Sequence, residues 1–285
     1  MALVPMKEIM VEARRKGYAL GAFEFWSLDS AQAVAEAASQ MELPIILQVG
    51  PLEAQYAGSF EALSTIAKFV AGRVKIPIAL HLDHAEEFEM VEDALKAGFT
   101  SVMIDASAKS FDENVEITLK TVKAARKFGA SVESELGRLA GNEGNISTVD
   151  EQAFQTDPDE AADFVEKTGI DALAVAIGTA HGFYRFPPKL NLERLKNIAA
   201  RVSVPLVLHG GSGTPDDQVV EAIRLGIAKV NICTEFVAAF GRQYMATQET
   251  PGFKYNVPAL FRPSKEAGKQ IALQKIKLFS GQKNL

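Results

Sequence analysis

The chain is poor in the residues that define several protein classes. It has one cysteine, Cys233, one tryptophan, Trp26, and four histidines in 285 residues. A lone cysteine excludes a disulfide framework and a cysteine zinc cluster. No run of about 18 uncharged apolar residues occurs, which excludes a membrane-spanning helix. Basic residues are not in excess: 30 Lys and Arg stand against 36 Asp and Glu, for a net charge of -6. That balance argues against a nucleic-acid partner, which needs a basic face for phosphates. The first residues lack a basic start followed by an apolar core, so no signal peptide is expected and the expected location is cytoplasmic. No low-complexity linker interrupts the chain, so one domain is expected over residues 1–285. Disorder is excluded by a hydrophobic fraction of 47%, ample for a core.

Eight short β-branched or apolar runs ending in polar or glycine residues are present, at 19–25, 44–49, 76–82, 101–104, 131–135, 172–177, 205–208 and 229–232. Several are continuously apolar, as in Pro-Ile-Ile-Leu and Pro-Leu-Val-Leu, which suits parallel strands buried on both faces. Amphipathic stretches separate them, at 27–41, 60–71, 86–97, 111–128, 158–168, 192–202 and 215–225. Asp157 before Pro158, and Thr214 before Pro215, read as helix caps. Gly98, Gly129, Gly169 and Gly226 read as helix stops. Strand and helix alternating eight times predict an α/β fold, a (β/α)8 TIM barrel. Extra helices are expected at 5–16 and 264–279, the latter after a loop at 248–263 holding three prolines. An open doubly wound sheet is the runner-up, and it lacks a Gly-x-Gly-x-x-Gly after the first strand.

In such a barrel the chemistry sits at the C-terminal strand ends. His84, His181 and His209 leave strands three, six and seven at that rim. Zn²⁺ is suited by three imidazoles and one open position. A packed, hydrogen-bonded histidine is the plainer reading of each taken alone. His81, two residues before Asp83, reads as structural. Asp83, Asp105, Glu133 and Glu135 collect at the same rim. A carboxylate in a strand needs a partner, so these serve either the site or a buried Lys or Arg. Gly210, Gly211, Ser212 and Gly213 follow strand seven, and Thr234 follows strand eight. Loops there commonly bind phosphate through amides and helix N-termini.

These motifs resemble the class II, zinc-dependent ketose-bisphosphate aldolases. The resemblance rests on His-Leu-Asp-His at 81–84, Ser-Val-Met-Ile-Asp at 101–105, Val-Glu-Ser-Glu-Leu-Gly at 132–137, Ile-Gly-Thr-Ala-His-Gly at 177–182, Leu-His-Gly-Gly-Ser-Gly at 208–213 and Lys-Val-Asn-Ile at 229–232. It covers the chain to about residue 240. It implies a lyase of carbohydrate metabolism that cleaves a ketose phosphate into dihydroxyacetone phosphate and an aldehyde. It implies one catalytic Zn²⁺ on His84, His181 and His209. Asp105 and Glu135 match a second or displaced metal position. Asp83 would give and take the proton at the aldehyde oxygen. Glu143, on a loop between Gly141 and Gly144, would move the proton at the nucleophilic carbon. Gln48, Gly182, Gly210, Gly211, Ser212, Asn231 and Thr234 match substrate contacts. The implied partner is a small-molecule sugar phosphate, and a homodimer or homotetramer is the implied assembly.

Three departures from the family pattern stand out. The usual Ala-Phe-Asn after strand one is Ala-Phe-Glu, giving Glu24. The usual serine after strand two is Gly50. The tail Asp-Pro-Arg, whose arginine meets the far phosphate, is replaced by Tyr-Asn-Val-Pro-Ala-Leu-Phe-Arg-Pro, with Arg262 displaced. Losing a bidentate arginine costs several kcal/mol of phosphate affinity. Cys233 also stands where Asn, Asp or Ser is usual. An aldehyde other than that of the standard fructose bisphosphate is therefore expected, and Glu24 suits a polar or cationic one. A non-catalytic sugar-phosphate-binding or regulatory barrel is the alternative, and a metal-free isomerase is a third reading that predicts no zinc. Trp26 fits either a pocket wall or packing under a loop.

Overall fold

The computed structural model describes residues 3–137, 155–182, 184, 186–253 and 255–281. Eight parallel strands close into a barrel in chain order: β1 (Leu20–Glu24), β2 (Ile45–Val49), β3 (Ile78–Ala85), β4 (Ser101–Ile104), β5 (Ser131–Leu136), β6 (Ala172–Val175), β7 (Leu206–Leu208) and β8 (Ile227–Ile232). Closure is made by β8 pairing with β1, with Ala22 opposite Asn231. The expected TIM barrel is the observed fold.

Each strand is followed by at least one helix, and the order of the eleven is α1 (Met6–Lys16), α2 (Leu28–Gln40), α3 (Pro51–Ala57), α4 (Phe60–Ala71), α5 (Phe88–Ala97), α6 (Phe111–Arg126), α7 (Pro158–Thr168), α8 (Leu192–Ala199), α9 (Asp216–Arg224), α10 (Thr234–Gln248) and α11 (Val257–Ser280). Local signals explain most of these boundaries. The Asp157 carboxylate accepts from the amides of Asp159 and Glu160, as an N-cap should. Thr214 does not cap α9, which starts after Pro215 without a side-chain cap. Its hydroxyl instead donates to the Gly210 carbonyl, pinning the glycine turn after β7. The short α3 was not expected from the sequence. The stretch 248–263 is not a single loop either: α11 begins at Val257, because the Asn256 side chain caps the Ala259 amide, and Pro263 lies inside the helix.

The barrel interior is layered. At the floor, α1 inserts Met6 and Met10 among Ala22, Ala79, Ala172, Ala174 and Ala228. Those alanines are small because the plug takes the room. The helix is tied down by the Lys7 amide donating to Ser131 Oγ at 2.9 Å and by Lys7 Nζ at 2.8 Å from Asp171. Above this apolar floor lies a polar layer of His81, Glu133 and Lys229, all buried. The inward residues of the top layer are Glu24, Gln48, Asp83, Glu135, His209 and Asn231. The larger apolar core lies outside the barrel, between strands and helices. No helix among the described residues is long and apolar enough to cross a membrane.

The tail helix α11 packs on α2 and α10. Alanine-rich α2 lets it approach closely, and Gly268 on α11 faces the Phe240 ring. A Cβ there would lie 2.0 Å from Phe240 Cε2. The ring cannot retreat freely, since Trp26 and Phe236 pack edge-on against it at 5.1 Å. Gly268→Ala is therefore expected to lower stability by about 1 kcal/mol, overpacking of about 1–3 kcal/mol outweighing the gain in helix propensity. Urea unfolding would show it as a lower midpoint at unchanged slope.

Candidate metal centre

The site is built on a strand irregularity. Residues alternate faces along a regular strand, so Asp83 and His84 should point opposite ways. The β3–β4 register shifts between Leu82 and Ala85, and His84 takes a left-handed φ of 46°. This bulge turns both side chains to the barrel mouth. A non-glycine residue in that conformation stores about 1–3 kcal/mol of strain, which the surroundings must hold.

His84, His181 and His209 converge there, each offering a ring nitrogen within 4.8 Å of the others. The roles of the ring nitrogens are fixed from outside. His84 donates from Nδ1 to Asp105 Oδ2 at 3.0 Å. His209 donates from Nε2 to Glu133 Oε1 at 2.9 Å. That leaves His84 Nε2 and His209 Nδ1 facing each other at 2.8 Å with a single proton to share. Outer carboxylates that orient the ligating imidazoles in this way are characteristic of metal sites. The donor set, three imidazoles with an open side, fits Zn²⁺. A second group, His84, Asp105 and Glu135, also brings its donor atoms within 4.8 Å. Glu135 Oε2 has no hydrogen-bond partner among the described residues.

The electrostatics follow from burial and neighbours. Burial opposes charge on His84, but Asp83, the Asp105 bond and Glu135 outweigh it and raise its pKa to about 10. Burial and then the His84 charge lower His181 to about 3. The same two causes lower His209. The trio thus carries one positive charge where a cation fits. Burial and then the charge of Asp105 push Glu135 well above the usual carboxylate range.

Glu133 depends on a residue that the sequence did not suggest. Lys229 Nζ, on β8, meets both its oxygens at 2.9 and 3.0 Å, and both side chains are wholly buried. Burial opposes the charge of Glu133, but Lys229 above all holds its pKa at about 2. Glu133 is therefore the carboxylate paired with lysine, while Glu135 is left to the site. The available signal was strand parity: Lys229 lies two residues before Asn231, on the same inward face. His81 is structural in its contacts, with Nδ1 bonded to Ser101 Oγ at 2.8 Å.

Asp83 receives Gln48 Nε2 at 3.0 Å and Asn231 Nδ2 at 3.1 Å on Oδ2. Burial opposes its charge, but His84 and Lys229 hold its pKa well below the usual range. It is an ionised carboxylate aimed at the histidines. Two cavities meet at Glu24, Asp83, His84 and His181. The outer cleft, about 430 Å³, also reaches Asp105 and Glu135. The inner pocket is lined by Gln48, Gly182, Gly210, Ser212, Asn231 and Thr234. Gly210 has φ 64°, and a Cβ would lie 2.4 Å from the Ala180 carbonyl oxygen, so only glycine fits this turn. Gly211 lies behind the wall, its amide donated to the Asn231 carbonyl. Trp26 packs on Phe236 and Phe240 and lines neither cavity. Arg262 lies on α11 and lines a separate groove. Glu143 falls outside the described residues.

The family model described as fructose-bisphosphate aldolase class-II matches residues 4–284. The chain belongs to that family. A fructose-bisphosphate aldolase of Staphylococcus epidermidis is 41% identical over 284 residues, covering 98% of both chains. The crystal structure of the YdjI aldolase from Escherichia coli K12 is 38% identical and superposes with a TM-score of 0.85 over 97% of each chain. A fructose-bisphosphate aldolase of Campylobacter jejuni, at 22% identity and a TM-score of 0.84 over 98% of this chain and 95% of its own, shares the fold.

Removing Lys229 strands a buried carboxylate. Lys229→Met is expected to cost about 3–5 kcal/mol, the scale for breaking a buried ion pair. Because the pKa of Glu133 is lowered from 4.5 to about 2, its stabilisation is complete above pH 4.5 and lost as pH falls toward 2. Denaturation midpoints measured across that window should fall steeply in the wild type and less so in the variant.

Proposed function

We propose that the chain is a zinc-dependent aldolase, an aldehyde-lyase. It reversibly cleaves a ketose phosphate into dihydroxyacetone phosphate and an aldehyde that carries no phosphate. The observation that carries this reading is the convergence of His84, His181 and His209, with Asp105 and Glu133 holding the other nitrogen of His84 and His209. His84, His181 and His209 would hold one Zn²⁺, with Asp105 and Glu135 as a second or displaced position. Bound there, the ion supplies Lewis-acid polarisation of the substrate carbonyl.

The chain's own residues do the rest. Asp83, held ionised, accepts the proton of the hydroxyl on the carbon that leaves as the aldehyde, and returns it in condensation. Gln48 and Asn231 fix the carboxylate's direction through their amides. The phosphate sits in the inner pocket, where Gly182, Gly210, Ser212 and Thr234 line the wall and α10 presents its N-terminus. Gly211 shapes the turn from behind. Glu143 is assigned the proton at the nucleophilic carbon, from its match to the family pattern. No arginine lines either cavity among the described residues, which supports an unphosphorylated aldehyde. A cytoplasmic location goes with this metabolic role. Assembly as a homodimer or homotetramer suits the exposed Met245, Tyr255 and Val257 on and beside α10 and α11.

Protein purified in chelator-free buffer is expected to hold about one zinc per chain and to exchange a carbon-bound hydrogen of dihydroxyacetone phosphate with D₂O. A chelator should abolish exchange, and Zn²⁺ should restore it. Asp83→Ala should slow cleavage of D-fructose 1-phosphate by about 10²–10⁴-fold. Zinc without exchange would point to a binding barrel. No zinc, and none taken up, would remove the basis of the reading.

A further inference from the structure

The outer cleft has an uncommon lining. Seven carboxyl side chains and one lysine, Lys109, face it among the described residues. Three of the acids, Glu53, Glu86 and Glu87, have no part in the metal centre. Glu53 is drawn inward by a local device. Its Oε2 accepts from the Gly50 amide at 3.0 Å, as an N3 residue does at a helix start, and Glu24 Oε1 accepts from the same amide at 2.6 Å. The two carboxyl groups are thereby held side by side on one amide. Burial, then the charges of Glu53 and Asp83, push Glu24 well above the usual carboxylate range. Glu24 is thereby biased toward its protonated form, and both side chains present carboxyl groups to the cleft.

Gly50 supplies the amide that holds the arrangement together. A Cβ there would lie 3.1 Å from Glu53 Oε2 and 3.5 Å from Glu24 Oε1. Its φ of -95° suits any residue, so a side chain here would act by pushing the Glu53 carboxylate aside and not by straining the backbone. Two departures from the family pattern, Glu24 and Gly50, therefore belong to one device with Glu53. Gln48 links that device to the reacting centre: Nε2 donates to Glu24 Oε2 and to Asp83 Oδ2, each at 3.0 Å. Gln48 lines the inner pocket where the two cavities meet, is 1% exposed, and its Oε1 has no partner among the described residues. A buried acceptor left unsatisfied beside a cavity points to a donor on the ligand.

We propose that Glu24 and Glu53 form a carboxyl pair that reads hydroxyl groups on the aldehyde half of the substrate and turns away a second phosphate. This rests on the aldolase reading above and deepens it. The substrate class is a ketose 1-phosphate whose far end is neutral and hydroxylated. Hydroxyls satisfy the pair as donors and acceptors. A phosphate dianion meets Glu53, Glu86 and Glu87 with Lys109 alone among the described lining residues to offset them, and like charges placed together reject a partner.

The test is run on zinc-loaded enzyme in the condensation direction. Dihydroxyacetone phosphate is held saturating, and kcat/KM is measured for D-glyceraldehyde and for D-glyceraldehyde 3-phosphate. The wild type is expected to favour the neutral aldehyde by roughly a hundredfold. Glu53→Gln removes a charge, and Gly50→Ser displaces the Glu53 carboxylate without changing charge. Each is expected to cut the preference by about tenfold or more, chiefly through a lower KM for the phosphorylated aldehyde. A merely structural role would lower both rates together and leave the ratio fixed. A ratio that moves less than about threefold in both variants overturns the assignment, as does a wild type that prefers the phosphate. Deuterium exchange into dihydroxyacetone phosphate by the wild type is followed in parallel. Absent exchange rejects the aldolase reading itself, whereas exchange without condensation of either aldehyde rejects the carboxyl pair.

Discussion

The Lys229–Glu133 ion pair, wholly buried in the middle of the barrel, is the constraint on which the rest of the site depends. Two unpaired charges there would each cost several kcal/mol, so each needs the other. The pair also leaves Glu133 Oε1 able to accept from His209. A carboxylate in that place gives the imidazole one orientation and one tautomer. The same logic holds at the other edge, where Asp105 fixes His84. The two histidines are thus oriented by outer carboxylates, Glu133 from within the barrel and Asp105 from the wall of the outer cleft.

The position of the site follows from how the barrel is filled. Alanines at the floor admit the methionines of α1, so the apolar packing is completed at the bottom. The polar layer and the mouth are then free to carry charge. The bulge in β3 converts alternation into convergence, placing Asp83 and His84 side by side. Tight glycine contacts after β7 bring that loop against Ala180 and Val230 and shape the inner pocket. The mouth is thereby divided: glycines and hydroxyls line the cavity on one side of the histidines, carboxyls the cavity on the other.

Much of this was legible in the sequence, for physical reasons. Buried parallel strands favour continuous apolar runs, and several of the eight, such as 44–49 and 205–208, stand out for that reason. Histidines are scarce here, so three at strand ends were conspicuous. Lys229 was not, because a lysine in a strand reads as solvated until its partner is known, and Glu133 lies 96 residues away. The bulge at His84 depends on β3–β4 pairing and leaves no local mark. Glu53 follows Pro51 in a short helix whose apolar pattern is weak, so its reach back to Gly50 could not be read. Pro258 and Pro263 suggested a loop, yet the Asn256 cap starts α11 before both. Glu24 and Gly50 were visible as departures, but their connection through one amide needed three dimensions.

Outer carboxylates decide which nitrogen His84 and His209 offer. The direct measurement is ¹⁵N NMR of the zinc-loaded protein with ¹⁵N-labelled histidine, assigned with single-histidine variants. The account predicts His84 bound through Nε2 with its proton on Nδ1, and His209 bound through Nδ1 with its proton on Nε2. Binding of His209 through Nε2 would break its link to Glu133 and Lys229 and contradict the account.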